Sequence, residues 1–277
     1  MGDRHRIGRS IGASIAALMG FQIAFTTIVA VLYGIDGFGS FLITTLLVHV
    51  GLGSFLLLMK DDFVIQPAES STEQPEMPLD RVNLANLLTM FRISSTPTIL
   101  FLLLHTGEHD IAVIVVVFVT VAFLTDLSDG LVSRKAHQVT RIGKYLDSMS
   151  DYGILIAVSI TFLHYSIIPS WFFALVMVRF LVQWIGLSAL SVYQGCLIAK
   201  SSFLGKVSIF TIMTLYATAT LTFFERLEPH VIGFFSVLVY LAAGIILVSA
   251  VEKAYILVHD FFDAGRSKTG KRIDTGE

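Results

Sequence analysis

Long apolar runs broken by short polar interruptions dominate the chain, at about residues 10–34, 38–59, 89–106, 111–134, 145–166, 169–194, 206–224 and 230–257. Crossing a bilayer core of roughly 30 Å takes about 20 apolar residues in a helix, so the pattern predicts about eight transmembrane helices. The connections on one side are short: Gly34 to Gly37, His105 to Asp110, Ser166 to Pro169 and Phe224 to Pro229. One stretch, Lys60 to Leu79, is rich in Pro, Glu, Gln and Ser, the composition of a linker. It separates an N-terminal two-helix transmembrane hairpin (1–59) from a six-helix core (80–260), with the linker at 60–79 and a basic tail at 261–277. No internal repeat stands out, so an inverted-repeat transporter gains no support. Basic residues precede the first run, as in a signal peptide. Its apolar stretch of about 25 residues is too long for a signal core, and an uncleaved helix is expected.

Composition agrees. Hydrophobic residues make up 55% of the chain and charged residues 14%, against about 25% charged in a soluble domain. An all-α integral membrane protein remains; disordered, collagen-like, disulfide-scaffold and nucleic-acid-binding classes are excluded. The single cysteine, Cys196, cannot form an internal disulfide. All but Arg179 and Arg226 of the 19 Lys and Arg fall on one side of the expected stack. By the positive-inside rule both termini are expected in the cytoplasm, in a cell's inner or plasma membrane.

The exceptions to the scarcity of charge cluster. Asp126 and Asp129 end the fourth run, in TDLSDGLVSRK, and Asp147 and Asp151 begin the fifth, in RIGKYLDSMSDYG. A carboxylate within the bilayer costs roughly 2.5–3.5 kcal/mol at mid-helix by insertion scales. Spacings of three and four residues place each pair on one helix face, so two adjacent helices could aim four carboxylates at one point. Oxygen-only ligands favour hard cations, Mg²⁺ or Mn²⁺ over Zn²⁺. Gly130, and Gly143 opposite, would let a ligand approach the backbone, while Arg134 could fork onto a phosphate. These residues together describe a diphosphate held by divalent metals at the mouth of a helix bundle. The alternative for Arg134 to Lys144 is an ordinary solvated loop.

The segment Asp126-x2-Asp129-Gly130-x2-Ser133-Arg134-x8-Gly143-x3-Asp147-x3-Asp151 resembles the signature of the CDP-alcohol phosphatidyltransferases, with Ser133 where that family usually has Ala. Upstream, Asn86-x2-Thr89-x2-Arg92-x4-Pro97 is similar to the family's entry into its first core helix. The likeness covers about residues 80 to 260. It implies a six-helix core with a polar cavity open to the cytoplasm and two divalent ions, Mg²⁺ or Mn²⁺, held by Asp126, Asp129, Asp147 and Asp151. It further implies CDP contacts from Asp129, Gly130, Ser133, Arg134, Gly143 and Thr89, with Asp151 as general base. The implied reaction is attack by a small alcohol on the lipid-bearing phosphorus of CDP-diacylglycerol, expelling CMP.

Arg179 lies far from either end of the sixth run, and Lys206 begins the seventh. A mid-span Arg is a functional hypothesis by default, and together the two suggest a pocket for a phosphate on the acceptor. They also resemble the phosphatidylglycerophosphate synthase branch of the family. That branch commonly has an acidic residue, Lys-Thr and Lys where this chain has Phe180, Ser208-Ile209 and Tyr152. Glycerol 3-phosphate is the first expected acceptor. Inositol phosphate, serine or a CDP-aminoalcohol reaction are the family alternatives, with a divalent-cation transporter as the rival from another class. Alternatively, Arg179 pairs with a metal-site carboxylate and Lys206 reaches the interface. The scattered His residues have no ligand spacing. Small residues in the first two runs would permit close packing or a homodimer, and no nucleic-acid partner is expected.

Overall fold

A computed structural model describes the backbone of residues 2–65, 77–135, 139–194, 202–224 and 229–274; within these, the side chains of 2–4, 123, 126–127, 129–135, 220–224, 229–234 and 263–274 are outside the description. Among the described residues eight helices follow one another: α1 (Gly2–Tyr33), α2 (Phe38–Leu58), α3 (Leu84–His105), α4 (Ala112–Lys135), α5 (Arg141–His164), α6 (Ser170–Gln194), α7 (Phe203–Phe224) and α8 (Pro229–Asp274). Six are long and apolar enough to cross a membrane, and the described parts of α4 and α7 add shorter apolar stretches, Ala112–Ala122 and Phe203–Ala219. The expected all-α membrane architecture is present. Several helices start earlier than their apolar runs, α3 and α5 among them. α3 begins at Leu84 because Asn83 caps it, accepting the Asn86 N–H at 2.9 Å; α5 begins at Arg141, within a turn that reads as polar loop.

The chain forms two compact units, Met1–Thr161 and Phe162–Glu277. In the first, α1 and α2 pack on each other and on α3, which packs on α4. The α1–α2 turn uses Gly34 and Gly37 at φ 64° and 79°, backbone positions that carry little penalty only without a Cβ. Ile35 within this turn and Phe41 just after it join Ile99, Leu102, Phe118 and Ala157 in one apolar core drawn from the hairpin, α3, α4 and α5.

Apolar contact alone discriminates poorly inside lipid, where association depends on close packing and interhelical hydrogen bonds. A polar seam supplies them between the hairpin and α3. Gln22 donates to Ser95 Oγ at 3.0 Å and accepts from Thr98 Oγ1 at 2.7 Å, and Thr26 and Thr98 share a hydroxyl contact at 3.2 Å. The His49 ring bridges Ser94 Oγ (2.8 Å) and the Thr45 carbonyl (2.7 Å). All of these side chains are buried.

The ends of the linker are ordered rather than coil. A 3-10 turn at Lys60–Asp62 leads into β1 (Val64–Ile65), which pairs antiparallel with β2 (Met77–Pro78), Val64 opposite Pro78 and Ile65 opposite Met77. Ile65 also bridges Thr140, just ahead of α5, and Ser10 Oγ of α1 accepts the Val82 N–H at 3.0 Å. In the second unit α8 packs against both α6 and α7. Its helix continues without a break to Asp274, through most of the basic segment expected as a tail.

Candidate active site

The two aspartates of α5 stand one turn apart, and the cation that faces them comes from α3. Arg92 is 1% exposed, while the Asp147 and Asp151 side chains are each 53% exposed. Its Nη2 donates to Asp147 Oδ1 at 2.8 Å, and its Nη1 lies 3.9 Å from Asp151 Oδ1. A guanidinium suits this bridging position because its planar fork presents several N–H groups and stays charged. Arg92 was expected only as part of a helix-entry motif and as a topology charge. Its role as counter-ion needs the rotational setting of α3 against α5, though an Arg just inside an expected membrane span was a usable signal.

A relay one turn earlier joins the same two helices. The Gly143 N–H donates to Thr140 Oγ1 at 3.0 Å, and Thr140 Oγ1 donates to Asn86 Oδ1 at 2.8 Å. A Cβ at position 143 would stand 2.7 Å from Asn86 Oδ1 and 2.8 Å from Thr140 Oγ1, so the α3–α5 approach itself requires glycine there. Asn86 is 2% exposed, and its Nδ2 has no hydrogen-bond partner among the described residues. An unmet buried donor costs about 1–3 kcal/mol. Thr89, one turn on, is buried and donates to the Ala85 carbonyl at 3.1 Å.

Asp126, Asp129, Gly130, Ser133 and Arg134 stand on the last three turns of α4, and their side chains lie outside the described residues. Among the described residues no group of three or more His, Cys, Asp or Glu converges as a metal site. The half of the cluster that is described fits a hard divalent cation. Asp147 and Asp151 offer only oxygens, both are half exposed, and Arg92 approaches the Oδ1 of each.

The second unit holds Arg179 and Lys206. Arg179 is 1% exposed; its Nε donates to Ser249 Oγ at 3.0 Å and its Nη1 to Gln183 Oε1 at 2.6 Å. Ser249 in turn contacts Ser208 Oγ at 3.2 Å. A Cβ on Gly205 would lie 3.3 Å from Arg179 Nη2, which places the guanidinium beside the first turn of α7. Ser202 caps that turn, accepting the Gly205 N–H at 3.0 Å and donating to Glu252 at 2.9 Å. Lys206 follows Gly205 directly, with its side chain exposed. Lys253 of α8, counted above among the basic residues on one side, is buried at 1% exposure.

With this geometry in place, comparison with known proteins identifies the class. Residues 82–257 match the CDP-alcohol phosphatidyltransferase family, and the chain belongs to that family. A Mycobacterium tuberculosis protein, named on inference as a phosphatidylglycerophosphate synthase, is 33% identical over 100 residues, 35% of this chain and 47% of the relative. A Mycobacterium bovis protein, named on inference as a cardiolipin synthase, is 27% identical over 160 residues, 57% of this chain and 75% of the relative. The CDP-diacylglycerol–glycerol-3-phosphate 3-phosphatidyltransferase of Sodalis glossinidius is 26% identical over 189 residues, 66% of this chain and 99% of the relative. The chain thus spans about half the length of the first relative and nearly all of the last. The hairpin and the whole linker lie outside the family match.

Proposed function

We propose that the protein transfers the phosphatidyl group of CDP-diacylglycerol to a small phosphorylated alcohol, with glycerol 3-phosphate first among them, and releases CMP. The observation that carries this is the pair Asp147 and Asp151, held half exposed on one face of α5 by the buried Arg92. A paired carboxylate set with its own buried counter-ion has no packing role that would repay its desolvation. Relatives named for glycerol-3-phosphate transfer support the acceptor.

In this mechanism Asp126, Asp129, Asp147 and Asp151 would hold two divalent cations, Mg²⁺ or Mn²⁺, on which the family generally depends. When bound, such ions neutralise the diphosphate and the departing CMP. Asp129, Gly130, Ser133, Arg134, Gly143 and Thr89 would line the CDP moiety, and the unmet Asn86 Nδ2 lies at the Thr140–Gly143 relay. Asp151 takes the proton of the acceptor hydroxyl. The acceptor oxygen then forms a bond to the phosphorus bearing the lipid, the bond from that phosphorus to the bridging oxygen breaks, and CMP departs with the electron pair. A well-placed base contributes about 10²–10⁴-fold. Arg179 and Lys206 would receive the acceptor's phosphate, supported by the fixed Arg179 fork beside the α7 first turn.

The distribution of Lys and Arg supports a membrane orientation with this site and both termini in the cytoplasm. An inner or plasma membrane location belongs to the same proposal. The division into hairpin (1–59), linker (60–79), catalytic core (80–260) and basic tail (261–277) belongs to the same proposal, as does self-association through the small residues of the hairpin.

The test is CMP release by the purified full-length protein from CDP-diacylglycerol with Mg²⁺ or Mn²⁺, over a panel of glycerol 3-phosphate, inositol phosphate, serine, phosphatidylglycerol and diacylglycerol. Release is expected with glycerol 3-phosphate and should fall by about 10²–10⁴-fold in Asp151→Asn. Undiminished release in that variant overturns the mechanism, and release only with phosphatidylglycerol overturns the acceptor.

A further inference from the structure

The linker grips α5 at its first turn. Asp62, 5% exposed at the end of the 3-10 turn that follows α2, accepts from Arg141 Nη1 at 3.0 Å; Arg141 is the first residue of α5. The backbone bridge from Ile65 takes hold of Thr140, the residue before it. Thr140 is also the hinge of the relay from Gly143 to Asn86. Two consecutive residues of α5's start are therefore tied to a segment that lies outside the family match at residues 82–257. That segment is itself anchored: α2 docks on α3 through His49 and Ser94, and Phe63 O receives the Leu79 N–H at 2.8 Å.

A buried carboxylate in a connecting segment demands an explanation. Buried Asp is rare unless paired, and a partly exposed ion pair adds little to stability. Its geometric consequence is larger. Gly143 lies two residues after Arg141, and Asp147 lies six residues after it, about 9 Å along the helix. Any loosening at Arg141 is passed to the glycine amide and then to the first carboxylate.

We propose that Asp62 is a positioning residue for the donor nucleotide: through Arg141 it sets the first turn of α5, and with it Thr140 and Gly143, against the diphosphate of CDP-diacylglycerol. The N-terminal hairpin with its linker is then part of the frame of the active site. This rests on the function proposed above, because the site it positions is the CDP site of that mechanism.

The experiment uses full-length protein in lipid nanodiscs and compares wild type, Asp62→Asn, the conservative Arg141→Lys and the charge swap Asp62→Arg/Arg141→Asp. Two readouts are taken: CMP-release kinetics with donor and acceptor varied separately, and hydrogen–deuterium exchange over residues 141–146 with 152–160 as the internal control. Asp62→Asn is expected to raise the KM for CDP-diacylglycerol about 10-fold while the KM for the acceptor stays within about 3-fold, since only the donor side is displaced. Exchange over 141–146 should quicken relative to the control, Arg141→Lys should fall between, and the swap should restore the donor KM to within about 3-fold of wild type. Unchanged donor KM and unchanged exchange in folded Asp62→Asn overturn the proposal. So does a swap that restores neither readout while Arg141→Lys behaves as wild type. A wild type that releases no CMP with any acceptor refutes the function instead. Exchange then decides alone: faster exchange reversed by the swap upholds the clamp, and unchanged exchange overturns it.

Discussion

Replacing Arg92 separates what this residue does for the site from what it does for the fold. Its Nη2 stands 2.8 Å from Asp147 Oδ1, a distance at which opposite charges attract by about 1.5 kcal/mol under water-like screening and about 6 kcal/mol at the screening of a protein surface. The carboxylate is 53% exposed, so the usable interaction sits near the lower figure, about 2 kcal/mol once the second contact to Asp151 is added. If that energy holds the two carboxylates in the productive arrangement, Arg92→Met lowers kcat/KM by about 30-fold. Stability should respond differently. The guanidinium is 1% exposed, its desolvation is a standing cost, and an apolar side chain of similar length relieves it. The Tm of Arg92→Met should therefore move by no more than about 4 °C. Arg92→Lys keeps the charge but loses the fork, so its activity should lie between the two. The assay pairs CMP release with thermal unfolding of the same preparations. Wild-type kcat/KM in Arg92→Met, or a loss of activity matched by a collapse in Tm, would refute the assignment of Arg92 as the orienting counter-ion.

Two other variants probe separate parts of the account. Gly143→Ala forces a Cβ to within 2.7 Å of Asn86 Oδ1, and overpacking of that kind costs about 1–3 kcal/mol; thermal unfolding should show it, and an unchanged Tm would mean that α3 and α5 part without cost. Arg179→Ala should raise the KM for glycerol 3-phosphate by about 10-fold or more and leave the KM for CDP-diacylglycerol unchanged; equal effects on both would make Arg179 a structural residue of the second unit.

Much of the fold was legible because a membrane helix declares itself by length and apolarity, and the apolar runs from α1 to α8 fall within the observed helices apart from small overruns at their ends. The earlier starts of α3 and α5 were not, because Asn83 and Arg141 read as loop until their partners, the Asn86 amide and Asp62, are known. The candidate site divides along the same line. Asp147 and Asp151 follow from helical spacing alone, since four residues return a side chain to one face. Arg92 faces them across a separation of 55 residues, and Asp62 meets Arg141 across 79. Such pairings depend on which way each helix is rotated, and the polar residues of α2 and α3 do not gather on one face that would reveal it. The seam that docks the hairpin is hidden for the same reason: Gln22 and Ser95 are 73 residues apart, and single polar residues in apolar runs do not announce a partner.

The central claim is transfer of the phosphatidyl group from CDP-diacylglycerol to glycerol 3-phosphate. Its most direct test is the stoichiometry of products formed by the purified full-length protein with Mg²⁺ or Mn²⁺, with CMP read by chromatography and the lipid by mass spectrometry. The account predicts equimolar CMP and phosphatidylglycerophosphate, both lost when the divalent cation is chelated. CMP released without a matching lipid product, or the same product formed after chelation, would contradict it.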